Sequence, residues 1–104
     1  MRPGSYRSIA FAMMSGLVST PSRAETIQVV IDKLTFSPAA IEAKVGDTVQ
    51  WVNKDSFAHT ATVKGGFDVM IPAGKSGSTV LKKAGSVDYY CRFHPNMRGQ
   101  ITAR

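Results

Sequence analysis

The sequence predicts an all-β domain, a Greek-key β-sandwich, on three observations. Short stretches alternate apolar and polar residues with period two, Gly- and Pro-marked turns separate them, and nothing after residue 24 keeps a helical period between start and stop signals. In "TIQVVID", Ile27, Val29 and Ile31 share one face, and in "DTVQWVN" Val49 and Trp51 do so. "HTATV" groups His59, Ala61 and Val63, and "SVDYYC" groups Val87, Tyr89 and Cys91. Further short strands are expected at Ile41 to Lys44, Ser78 to Lys82 and Gly99 to Ala103. "KVGD", "KGG", "IPAGKSG" and "KAGS" supply the turns, and Gly46, Gly65, Gly66, Gly85 and Gly99 are read as turn residues. Trp51, Phe36, Tyr89 and Val49 are the expected core. Met70 is read as a packed or surface residue rather than a second soft ligand.

The first 24 residues have a different character. Arg2 and Arg7 precede an apolar run from Ile9 to Val18, and Ser22 and Ala24 form a small-x-small pattern. Residues 1–24 are therefore expected to be a secretory signal peptide cut between Ala24 and Glu25, leaving a single domain over 25–104. The apolar run is about half the ~20 residues that a bilayer span needs, so no membrane span is expected after cleavage. Without a twin arginine before that run, the expected route exports an unfolded chain and the metal is loaded outside the cytoplasm.

Loss of Arg2, Arg7 and Arg23 lowers the formal charge from +6 to +3. The remaining Lys and Arg residues are interspersed with acids and form no basic stripe with interleaved aromatics, which argues against nucleic acid as a partner. About 80 residues are few for a self-sufficient core, so a bound metal would add useful stability.

Chemistry concentrates in "DYYCRFHPNMRG", where Cys91, His94 and Met97 follow one another at intervals of three. Cys91 is the only cysteine, so an exported chain offers it no internal disulfide. By parity it points inward with Val87 and Tyr89, and His59 points inward on another strand. The candidate metal ligands are thus His59, Cys91, His94 and Met97, which include both histidines. Two imidazoles, a thiolate and a weak axial thioether suit one copper ion cycling between Cu(II) and Cu(I). A zinc hydrolase would want a nearby carboxylate base, whereas Asp88 has outward parity and Asp55 sits on a loop before His59. With both histidines in one site, nothing is left to hold a multicopper cluster.

"KVGDTVQWVN", a following His, "AGSVDYYC" and "C-x-x-H-P-x-M-R-G" together resemble the cupredoxin family of small type 1 (blue) copper proteins, nearest to the amicyanins and next to pseudoazurins and plastocyanins. The resemblance runs from about Thr26 to Ala103. It implies a copper-binding Greek-key sandwich with His59, Cys91, His94 and Met97 as ligands. It also implies that His94, rimmed by Phe93, Pro95 and Phe57, is the port for electrons. Two departures stand out. Thr60 replaces the family's usual Asn and is expected to brace the cysteine loop less firmly. Arg92 replaces a small hydroxyl residue and is expected to raise the reduction potential if its charge is unscreened.

The function expected is that of a periplasmic, monomeric, non-enzymatic electron carrier whose partners are redox proteins: a dehydrogenase, a cytochrome c or an oxidase. The alternative is a periplasmic copper-binding protein for trafficking, sequestration or delivery. A methionine- or histidine-rich arm would favour it, and after residue 24 the chain has only Met70 and Met97.

Overall fold

The computed structural model describes residues 23–104. Nine strands run through them: β1 (Thr26–Asp32), β2 (Thr35–Ser37), β3 (Ala40–Ala43), β4 (Thr48–Asn53), β5 (His59–Thr62), β6 (Asp68–Ile71), β7 (Ser76–Val80), β8 (Gly85–Tyr90) and β9 (Arg98–Ala103). They form a five-stranded sheet in the order β3-β9-β8-β5-β6 and a four-stranded sheet in the order β2-β1-β4-β7. Consecutive strands are shared between the two sheets, and the all-β sandwich expected from the alternation is what forms. The expected signal peptide lies outside the described residues, except for Arg23 and Ala24.

Alternation explains how the sheets face each other. Val29 and Ile31 of β1, Val49 and Trp51 of β4, Tyr89 of β8 and Ile101 of β9 are buried, with less buried neighbours between them. β1 and β4 pair in parallel from Thr26↔Thr48 to Ile31↔Asn53, and β9 pairs in parallel with β3. The central cluster is aromatic: Tyr89 lies edge-on to Phe36 at 4.7 Å and to Trp51 at 5.3 Å between ring centroids. Phe36, Trp51, Tyr89 and Val49 are core residues, as expected.

Two strands have no counterpart in the sequence reading, β2 and β6. β2 closes a hairpin with β1 through Lys33 and Leu34, both with positive φ, 54° and 62°. Such a turn normally carries Asn or Gly, and neither is present to signal it. Its backbone is held instead from outside: the N–H groups of Lys33 and Leu34 donate to Asp55 Oδ1 and Oδ2 at 2.8 and 3.0 Å. β5 also departs from simple alternation, because all four of its residues are buried. One face meets the core, and on the other Thr60 and Thr62 are joined by a 2.9 Å hydroxyl hydrogen bond.

Gly99 is not a turn residue. It lies in β9 opposite Tyr89, and a Cβ there would sit 2.3 Å from the Tyr89 ring, so the absent side chain is what admits the phenol. Gly99→Ala is expected to cost about 3 kcal/mol through overpacking, read from urea unfolding of the metal-free protein.

Tyr89 supplies a second test. Burial pushes its phenol from 10.0 up to about 12, and its hydroxyl has no hydrogen-bond partner among the described residues. Because the folded value is the higher one, the unfolded chain ionises first as pH rises. The stability is present below pH 10 and lost on going from about 10 to about 12. Comparing unfolding free energies across that window, this alkaline decline is expected to be shallower in Tyr89→Phe.

Candidate metal centre

His59 opens β5, whereas Cys91 follows β8 directly and begins the loop to β9. The equal spacing of Cys91, His94 and Met97 has a geometric origin. His94 N–H donates to the Cys91 carbonyl at 3.2 Å and Met97 N–H to the His94 carbonyl at 2.8 Å, two reverse turns placed end to end. Pro95 occupies the second position of the second turn, where its fixed φ is favourable. Cys91 N–H closes the loop onto the Met97 carbonyl at 3.1 Å. Each of the three side chains thus leaves the backbone at a corner of one closed loop. Cys91 and Met97 are buried and His94 is half-buried.

The donor atoms of His59, Cys91 and His94 all lie within 4.8 Å of one another. Cys91 Sγ is 3.7 Å from His59 Nδ1 and 3.7 Å from His94 Nδ1. Metal bonds of about 2.0 Å to nitrogen and about 2.3 Å to sulfur span such an edge at an angle of about 119°, close to trigonal. The far nitrogen of His59 meets Asp55 Oδ2 at 2.8 Å. Burial alone would raise Asp55, but hydrogen bonds from Leu34, His59 and Lys33 outweigh it and hold the carboxyl below its usual value. An ionised carboxylate only accepts, so Nε2 carries a proton, and in the neutral imidazole Nδ1 is then the bare nitrogen, on the side of Cys91. Residues, spacing and tautomer all fit a metal with two nitrogen donors and one sulfur donor.

Sequence reasoning weighed Asp55 only as a hydrolytic base and set it aside, which the structure bears out, but it did not foresee the contact with His59. Asp55 stands behind His59, away from the donor cluster, which is wrong for a hydrolytic base and right for orienting a ligand. An acid four residues before a candidate ligand was the available signal. Asn53 was also missed: its Nδ2 donates to the Phe57, Ile71 and Pro72 carbonyls and its Oδ1 accepts from Asp55 N–H, which shapes the segment between β4 and His59.

Thr60 does contact the cysteine loop. Its backbone N–H points to Cys91 Sγ at 3.4 Å, and its Oγ1 accepts from Arg92 N–H at 2.8 Å. From Thr60 the hydroxyl contact continues to Thr62, whose Oγ1 donates to Asp68 Oδ1 at 2.7 Å; Arg92 Nε donates to the same oxygen at 3.1 Å. The ring of contacts returns to the residue after Cys91. Asp68 is held below its usual carboxylate value by the Thr62 hydrogen bond first and the Arg92 guanidinium second. The condition under which Arg92 would raise the potential is not met, because Asp68 is its counter-ion and both sit where solvent screens them.

Aromatic side chains rim the exposed edge of His94. Phe57 lies 5.5 Å from the His94 ring and 5.1 Å from the His59 ring, and Phe57 and Phe93 are 44% and 48% exposed. Met70 is half exposed on β6, opposite Thr60 in the ladder.

A family-wide sequence profile of the cupredoxin-like domain matches residues 6–103. The chain belongs to the cupredoxin-like family. Amicyanins from Paracoccus versutus and Paracoccus denitrificans are 31% and 33% identical over 85 residues, covering 75% and 72% of this chain. The chain spans less than two thirds of these two relatives, 64% and 63% of their lengths. Among solved structures, a Cu(I) form of an amicyanin variant superposes with a TM-score of 0.70 at 29% identity, covering 76% of this chain and 82% of that one. Sheet order, loop and donor cluster in this cupredoxin accord with that kinship.

Thr60→Val keeps the shape of the side chain but leaves Arg92 N–H without its acceptor and cuts the contact to Thr62. The expected loss is about 1–3 kcal/mol in urea unfolding of the metal-free protein, against less than about 1 kcal/mol for Arg92→Ala at the exposed end of the same chain of contacts.

Proposed function

We propose that this cupredoxin is a type 1 copper electron carrier of the bacterial periplasm, with His59, Cys91, His94 and Met97 as the copper ligands. The observation that carries the reading is the convergence of the two Nδ1 atoms on Cys91 Sγ, at 3.7 Å each, beneath a half-exposed His94 in an aromatic rim. Copper bound there would supply the one-electron couple between Cu(II) and Cu(I).

The chain's own part is to hold the donors still and to give electrons a route. Two end-to-end turns fix Cys91, His94 and Met97, and Asp55 fixes the ring of His59. A site that need not rearrange when its charge changes exchanges electrons quickly. The buried His59 and Cys91 keep water from the sulfur side, and His94 reaches the surface between Phe57 and Phe93. A redox protein with an apolar contact patch fits that rim, and among the described residues no helix is long and apolar enough to cross a membrane. No group acts as acid, base or nucleophile in this scheme. Residues 1–24 are the leader that sends residues 25–104 across the inner membrane. Kinship with amicyanins supports electron transfer, and the absence of a Met- or His-rich arm after residue 24 disfavours a trafficking role.

Anaerobic titration of residues 25–104 with Cu(II) tests the reading. The expected result is an intense blue thiolate-to-copper band that saturates at one equivalent, bleaches with reductant and returns with oxidant. Cys91→Ala is expected to lose the band. A colourless complex, or copper reduced at the expense of an oxidised Cys91, overturns electron transfer in favour of a Cu(I) carrier.

A further inference from the structure

At the pole of the sandwich where the chain enters β1, Asp47 is a buried carboxylate, 4% exposed. Both of its oxygens are engaged: Oδ2 accepts Lys44 N–H at 2.9 Å, and Oδ1 accepts the backbone N–H of Glu25 at 2.9 Å. These hydrogen bonds, Glu25 first and Lys44 second, hold Asp47 below its usual carboxylate value, so it is charged at neutral pH. Among the described residues no side-chain cation lies within ion-pair distance of it, although the Lys44 ammonium, farther off, also lowers it; the direct pairs are His59 with Asp55, Arg92 with Asp68 and Arg104 with Glu42. A buried charge normally has a counter-ion.

The backbone nitrogen that touches Asp47 belongs to the residue that leader cleavage would expose. Ser22 and Ala24 provide the small-x-small pattern, and Arg23, Ala24 and Glu25 are exposed, with Arg23 to Glu25 outside any strand. We propose that cleavage between Ala24 and Glu25 creates the missing counter-ion, and that Asp47 is a receptor for the new α-ammonium group. The proposal rests on the leader reading given above. In the cleavage, water adds its hydroxyl to the Ala24 carbonyl carbon and a proton to the Glu25 nitrogen. The released amine takes a second proton at neutral pH, so a neutral amide donor becomes an ammonium in the same place. The bond from the amide is already charge-assisted on the carboxylate side, so what the ammonium adds is the attraction of a full positive charge at hydrogen-bond distance. The new pair sits beside a backbone bond from Thr48 N–H to the Glu25 carbonyl at 2.8 Å, at the head of the parallel β1–β4 pairing. Processing thus strengthens the entry of β1 into its sheet.

The test uses copper-free proteins with defined first residues: Glu25 with a free amine, Glu25 acetylated, and Ala24 with a free amine, which displaces the charge by one residue. The Glu25 free-amine form is expected to melt about 4–8 °C above both others, and its α-amine to acylate more slowly than that of the Ala24 form. Asp47→Asn in all three is expected to collapse the difference, and if that variant does not fold, the comparison with Asp47 intact decides. Equal melting temperatures and equal acylation rates overturn the receptor role even if cleavage is at Ala24–Glu25. Mass determination of the exported protein separately tests the start, and a first residue other than Glu25 overturns the link to processing.

Discussion

Between β5 and β8 the five-stranded sheet is joined by one ladder pair, Thr62 opposite Tyr90. Beyond it the strands part, and two bonds replace the ladder: Thr60 N–H to Cys91 Sγ, and Arg92 N–H to Thr60 Oγ1. The candidate centre depends on this substitution. A regular ladder would turn Cys91 into one more alternating strand residue, whereas the parted strands let its sulfur come within 3.7 Å of both imidazoles while its backbone polar groups stay satisfied. The Thr60 hydroxyl therefore does sheet work with a side chain, and its burial with Thr62 is why β5 does not alternate.

Charge is managed differently around the buried and exposed parts of the site. Near the donor cluster the ionised group is Asp55, whose oxygens meet two backbone N–H groups and an imidazole N–H. Farther out, Arg92 and Asp68 pair where solvent screens them. The two acids thus share one logic: each is tied to a ligand-bearing segment through neutral donors. The outer ion pair adds geometry to that arrangement more than field.

Legibility of the sequence followed the physical origin of each feature. Strands with one buried face, such as Thr26–Asp32 and Thr48–Asn53, show as period-two patterns, and Cys91, His94 and Met97 stand out because a turn needs none of those residue types. β2 was hidden because its turn uses Lys33 and Leu34, residues without the usual left-handed preference, and is stabilised by an acid more than twenty positions away in sequence. β6, with exposed Asp68 and Met70 and only Ile71 fully buried, has too little apolar alternation to register. Gly99 read as a turn because a glycine needed for close packing looks, in sequence, like one needed for φ; only its place opposite Tyr89 separates the two. Asp55 left a signal in its place four residues before His59, whereas Asp68 acts through Thr62 and Arg92, partners that adjacency does not show.

β4 links the two poles. Asp47, just before it, gathers the entry of β1 and the turn from Lys44, and its own backbone N–H donates to the Lys44 carbonyl at 3.0 Å. Asn53, its last residue, ties the segment bearing Asp55 and Phe57 to the Ile71 and Pro72 carbonyls. A one-residue slip of β4 would turn Val49 and Trp51 outward and displace both polar clusters together. Core burial and polar geometry therefore select the same register from opposite directions. The site for His59 inherits its position from that agreement, because the loop leading to it starts at a strand end that cannot move without exposing Trp51.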